Sequence, residues 1–72
     1  MNSDAELIAD RLSLERAINA LPSLLRTVFV LREIEHYSHE EIAEILGIRR
    51  GTSEVRLYRA IRILRTLLQS EQ

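Results

Sequence analysis

Ten basic side chains stand in this chain of 72 residues, and all ten are arginine. Arginine presents a planar fork of donors that fits a phosphate or the acceptor edge of guanine, where lysine would offer only a point charge. The ten are spread unevenly. Met1–Ile48 carries four arginines against nine acids, a net of -5, whereas Arg49–Gln72 carries six arginines against two acids, a net of +4. A formal charge of -1 therefore conceals a basic C-terminal part, and such asymmetry suggests one face meant for a polyanion. The bland alternatives are a solvated helix face and an arginine preference that follows genomic base composition.

Other chemistries find less support. His36 and His39, with Glu33, Glu35 and Glu40 nearby, are the one grouping of metal-ligand types, but the two histidines straddle a helix break. With only two histidines and no cysteine, nothing remains to complete a zinc shell, so no metal and no cofactor are expected. His39 reads instead as capping or phosphate-facing, and His36 as solvated. Serine, histidine and aspartate occur without a nucleophile elbow, a glycine-rich phosphate loop or a paired-carboxylate cleft, and a thin helical domain has little room for a closed pocket. No catalytic residue, no small-molecule substrate and no enzyme activity are expected. The absence of cysteine also excludes a disulfide-stapled fold. The longest unbroken apolar run, Val28-Phe29-Val30-Leu31, is far short of a membrane span, and Met1–Asp10 lacks the pattern of a secretory signal. Membrane-surface binding by the last helix is disfavoured, because its polar face lacks lysine and its apolar face is needed to close the core. A soluble, cytoplasmic domain is the expectation.

The elements that must position the arginines follow from periodicity. At 46% hydrophobic and 29% charged the chain is foldable, with a core kept thin by its length. Period-two alternation and hairpin turns are missing, and helical spacing runs throughout. The expected fold is all-α, a four-helix domain over residues 1–72 with helices at about 4–20, 22–35, 39–46 and 52–69. Ser3 or Asp4 caps the first helix, which buries Leu7, Ile8, Leu12, Ile18 and Leu21. Pro22 ends it and opens the second, which buries Leu25, Val28, Phe29, Leu31 and Ile34. Ser38-His39-Glu40-Glu41 reads as a capping box for the short third helix, which carries Ile42, Ala43, Ile45 and Leu46, and Gly47 reads as its left-handed end. Ile48 plugs the turn, Arg49-Arg50-Gly51 connects, and Thr52 or Ser53 caps the last helix.

A short helix, a tight turn with glycine and a longer arginine-bearing helix make a helix-turn-helix over residues 38–66. At 100° per residue, Leu57, Ala60, Ile61, Leu64, Leu67 and Leu68 of the last helix fall in a band of about 120°, the core stripe. Arg59, Arg62 and Val55 lie opposite it, Glu54, Arg56 and Arg65 sit on the shoulders, and Tyr58 falls between shoulder and outer face. Ser53 falls on the core side, where capping suits it better than packing. An outward valine beside outward arginines suits a base-reading surface, since its methyls can meet a thymine methyl, although an exposed valine also occurs without function.

Leu21-Pro22 through Phe29-Val30-Leu31-Arg32-Glu33, then Tyr37-Ser38-His39-Glu40-Glu41-Ile42-Ala43-Glu44-Ile45-Leu46-Gly47-Ile48, then Gly51-Thr52-Ser53 and Arg56-Leu57-Tyr58-Arg59-Ala60 resemble the fourth region of bacterial sigma factors, of the extracytoplasmic-function group. The likeness runs from about Leu12 to Leu68. It implies a four-helix domain whose last helix enters the major groove of the promoter -35 element. The start of the third helix and the turn would hold phosphates. Earlier helices would contact the flap of the RNA polymerase beta subunit and offer a target to an anti-sigma factor. The family's major-groove positions fall on Glu54, Val55, Tyr58 and Arg59. Its backbone-contact positions fall on Ser38, His39, Arg49, Arg50, Thr52 and Arg56, to which the outward Arg62 is added. Many relatives have valine at position 53, position 54 is usually lysine or arginine, and position 55 is often serine. Glu54 would repel phosphate, yet it favours the helix N-terminus and could accept a hydrogen bond from a cytosine amino group.

Double-stranded promoter DNA is thus the expected partner, with the polymerase flap and an anti-sigma factor beside it. The alternative is a sigma-like helix-turn-helix used mainly for protein binding, which Glu54 and the near-zero net charge favour. The family's second region, which reads the -10 element, is absent from these residues, so the domain is expected to be a part of a longer sigma factor.

Overall fold

Helical spacing resolves into four helical segments in a computed structural model that describes the backbone of residues 4–70 and the side chains of residues 10–69. These are α1 (Asp4–Ala20), α2 (Ser23–Phe29, continued by a π-helical turn over Val30–Ile34), α3 (His39–Leu46) and α4 (Arg50–Ser70). No strand occurs among the described residues. The all-α expectation holds, and the details of three helix ends differ from it.

Pro22 does not occupy the first turn of α2. It sits just before it, at φ -53 and ψ 142, and its carbonyl accepts from the N–H groups of Leu25 and Arg26 at 3.0 and 2.9 Å. Proline's fixed φ suits this place equally well, because the residue still supplies the first helical carbonyl. The far end of this segment widens instead of stopping. Glu35 N–H donates to the Val30 carbonyl and Tyr37 N–H to the Leu31 carbonyl, both at 2.9 Å, which skips the usual four-residue spacing. His36 then turns the chain at φ +65, a left-handed conformation a non-glycine residue rarely takes. Arg32 Nη1 donates to the Tyr37 carbonyl at 3.4 Å and braces the turn.

The third helix matches its reading. Glu41 N–H donates to Ser38 Oγ at 3.0 Å and Ser38 N–H donates to Glu41 Oε1 at 2.9 Å, a complete capping box. Donation by the Ser38 backbone, helped by its hydroxyl and opposed by slight desolvation, holds the Glu41 carboxyl below its ordinary value of about 4.5. Gly47 ends the helix at φ +67, and the N–H groups of Gly47 and Ile48 both donate to the Ala43 carbonyl.

The last helix begins two residues before the expected 52, and neither Thr52 nor Ser53 caps it. Ser53 N–H donates to the Arg49 carbonyl at 3.2 Å, so the first helical carbonyl belongs to Arg49. Ser53 is fully buried, and its Oγ shares a 2.8 Å hydrogen bond with His39 Nδ1 on α3. A hydroxyl drawn into the interior by a partner 14 residues away cannot serve its own helix end.

Ala17 and Leu21 meet Ala60 and Leu64 at the centre of the core, with Ile18, Leu25, Phe29, Ile63, Leu67 and Leu68 packed around them. Val28 and Ile42 are fully enclosed. Two small alanines facing each other let α1 approach α4 closely, and α4 is the element on which α1, α2 and α3 all pack. Leu12 and Ile34, expected inside, are 46% and 52% exposed. Ser3 and the side chains of Asp4, Leu7 and Ile8 lie outside the described residues.

Candidate nucleic-acid interface

Packing Leu57, Ala60, Leu64 and their neighbours inward leaves the opposite side of α4 uncovered. Val55 and Tyr58 are 48% and 56% exposed, and Arg59 and Arg62 are exposed beside them. The Arg62 guanidinium lies 5.9 Å from the centre of the Tyr58 ring, one helical turn away, which orients a long side chain that would otherwise sample many rotamers. Arg56 is half-buried on the shoulder.

The expected contact residues separate into neighbouring shallow depressions. Arg49, Thr52, Val55, Arg56 and Arg59 line one, on the side of α4 that meets Leu24 and Leu25 of α2. On the side toward α3, His39, Glu54, Tyr58 and Arg62 line a second, together with Arg65. Ser38, His39 and Arg50 line a third over the start of α3, with Arg32, His36, Glu40 and Glu41. The six C-terminal arginines do not form one stripe. Arg59 and Arg62 stand on the outward ridge of α4, Arg56 and Arg65 lie on its shoulders, and Arg49 and Arg50 lie at the turn and the first residue of the helix.

Several of these side chains already have work inside the fold. Ser38 gives its N–H and an Oγ lone pair to the capping box, which does not use its hydroxyl proton. His39 is half-buried and gives Nδ1 to Ser53, which makes it a tie between α3 and α4 and not a cap. Arg50 Nη1 donates to Glu40 Oε1 at 2.8 Å, and Arg50 Nε stands 3.4 Å from Glu54 Oε1. Arg49, Arg59 and Arg65 carry no ion pair among the described residues. Three basic side chains beside these depressions, Arg32, His36 and Arg65, escape the sequence assignment. Arg65 is marked only by its shoulder position, and Arg32 and His36 lie in the acidic part of the chain, where a charge count hides them.

No group of three or more metal-ligand side chains occurs among the described residues, and no helix there is long and apolar enough to cross a membrane. What remains is a capped helix, a three-residue turn and a longer helix with an open arginine-flanked face: a helix-turn-helix domain of the nucleic-acid-binding kind. The family model of Sigma-70, region 4 matches residues 11–64, and the chain belongs to that family, one of transcription initiation factors and not of enzymes.

Its relatives agree. The chain is 41% identical over 58 residues to RNA polymerase sigma factor SigV of Bacillus subtilis, covering 81% of this chain and 35% of that protein. It is 40% identical over 65 residues to ECF RNA polymerase sigma factor SigE of Mycolicibacterium smegmatis, covering 90% and 24%. It is 40% identical over 52 residues to ECF RNA polymerase sigma-E factor of Haemophilus influenzae, covering 72% and 28%. The chain thus spans between 24% and 35% of the length of these curated relatives.

Proposed function

We propose that these residues are the promoter-binding domain of a sigma factor, and that α4 enters the major groove of a -35 element. Glu54, Val55, Tyr58 and Arg59 read base edges in this account. Arg49, Thr52, Arg56 and Arg62, with Ser38 and the remaining ring nitrogen of His39, fix register on phosphates. The observation that carries this reading is the uncovered face of α4, where Val55, Tyr58, Arg59 and Arg62 stand together outside the core. An α-helix fits the width of the major groove, and a single bidentate arginine there discriminates a base pair by about 1–3 kcal/mol.

Protein contacts belong to the same proposal. Leu25, Ile63 and Leu67 line an open apolar groove between α2 and α4, edged by Arg59 and Arg62. Such a groove suits a helix of the polymerase beta flap, or an anti-sigma factor that competes for the same arginines. A domain that binds promoter and polymerase works in the cytoplasm. The groove, with the two glutamates held against Arg50, also favours the second reading, a domain used mainly for gripping protein. Titrating a fluorescent promoter duplex and a scrambled duplex at moderate salt separates the two. A clear preference for the promoter supports base reading, and equal, micromolar-or-weaker binding to both supports the protein-binding role.

A further inference from the structure

Among the described residues of α4, Arg50 is the arginine whose nitrogens are held by carboxylates: Nη1 donates to Glu40 Oε1 at 2.8 Å, and Nε stands 3.4 Å from Glu54 Oε1. Helix stability does not account for this arrangement. A cation in a first helical turn opposes the macrodipole, and an arginine preceding its glutamate by four residues is the weaker order for such a pair. The side chains of Arg50, Glu40 and Glu54 are 60%, 74% and 52% exposed, where ion pairs contribute little.

Orientation does account for it. Glu40 belongs to α3, so it anchors the guanidinium from outside α4. The guanidinium engages one oxygen of Glu54 and offsets the charge that a bare carboxylate would bring near phosphates. The other oxygen of Glu54 has no hydrogen bond among the described residues, and Glu54 lines a depression with Tyr58 and Arg62. In the major groove cytosine offers an amino donor at N4, whereas adenine sets the N7 acceptor beside its amino group and guanine offers acceptors. A carboxylate therefore selects cytosine.

We propose that Arg50 is a positioning residue and not a phosphate contact: anchored by Glu40, it holds Glu54 to read a cytosine. This inference rests on the reading of α4 as the major-groove helix. The test selects duplexes from a randomised pool at low salt with the 72-residue chain and its Arg50→Met, Glu40→Gln and Glu54→Gln variants, each checked for folding by circular dichroism. The chain enriches cytosine at one position. Glu54→Gln loses that preference there alone and turns toward adenine, which glutamine reads bidentately. Arg50→Met lowers the cytosine preference at the same position by roughly tenfold and leaves the salt dependence of binding unchanged, and Glu40→Gln lowers it less. An Arg50→Met protein that keeps its cytosine preference overturns the inference, whether it binds as before or loses affinity uniformly with a salt slope shallower by about 0.9. Enrichment of no sequence by the unaltered chain would instead overturn the promoter-binding reading on which the inference stands.

Discussion

The two helices of the helix-turn-helix are joined by two polar contacts of opposite kind. His39 and Ser53 meet on the inner side at 2.8 Å, the hydroxyl fully buried and the imidazole half-buried. Arg50 and Glu40 meet outside at the same distance, ionic and solvated. Equal lengths do not make equal contributions, because burial sets what each contact is worth. Breaking the inner bond strands a polar atom away from water, whereas the outer groups fall back on hydration. The inner seam fixes the angle at which α4 is presented, and the outer face remains available to exchange its partners. Damage to the seam should therefore appear as lost stability, and damage to the face as lost recognition.

The largest effect is expected from the seam. Ile42 of α3, the helix on one side of the seam, is fully enclosed, and Ile42→Ala should cost about 2–5 kcal/mol in a denaturant melt. That is a large part of what a chain of this length has, at roughly 0.05–0.15 kcal/mol per residue. Arg59→Ala tests the face. It should weaken binding to a selected duplex by about 1–3 kcal/mol and relax preference at one base pair, with the melting temperature unchanged. Unchanged affinity and preference would remove Arg59 from the base-reading set. Ser53→Ala returns to the seam with a smaller loss of about 1 kcal/mol, since His39 keeps partial access to water. A neutral result would mean that the buried bond does not hold the helices.

The smallest effect belongs to the capping box. The folded Glu41 carboxyl titrates below its unfolded value, so its contribution is present above about 4.5 and disappears as pH falls through the lower folded value. Glu41→Gln keeps an acceptor for the Ser38 N–H and removes the titration. The gap in melting temperature between the two proteins should narrow from pH 7 toward pH 3, and a constant gap would contradict the assignment.

The contrast between seam and face also explains what could be read from the sequence. Local signals were legible: Ser38 and Glu41 announce a cap three residues long, Gly47 marks a left-handed end, and the apolar stripe of α4 repeats at helical spacing. The outward position of Val55, Tyr58, Arg59 and Arg62 follows from that stripe by rotation alone. Ser53 was illegible because its partner lies 14 residues away, and a serine near a helix start satisfies the local rule for a cap equally well. Arg50 was illegible in the same way, since Glu40 comes from another helix. The π-turn at Val30–Ile34 and the left-handed His36 carry no residue signature, because no glycine marks the bend. Residue type alone assigned Arg50 and Arg59 the same charge, and only their neighbours separate them.

The uncovered ridge of α4 is the surface proposed to meet DNA. Amide and side-chain NMR shifts of the labelled chain, followed while a duplex from the selection is added, test it most directly. Val55, Tyr58, Arg59 and Arg62 should move first and furthest, the turn at Gly47–Arg49 should follow, and Ala17, Leu21 and Leu64 should stay in place. Shifts that gather on α1, or on the α2 side chains alone while α4 stays silent, would contradict the account.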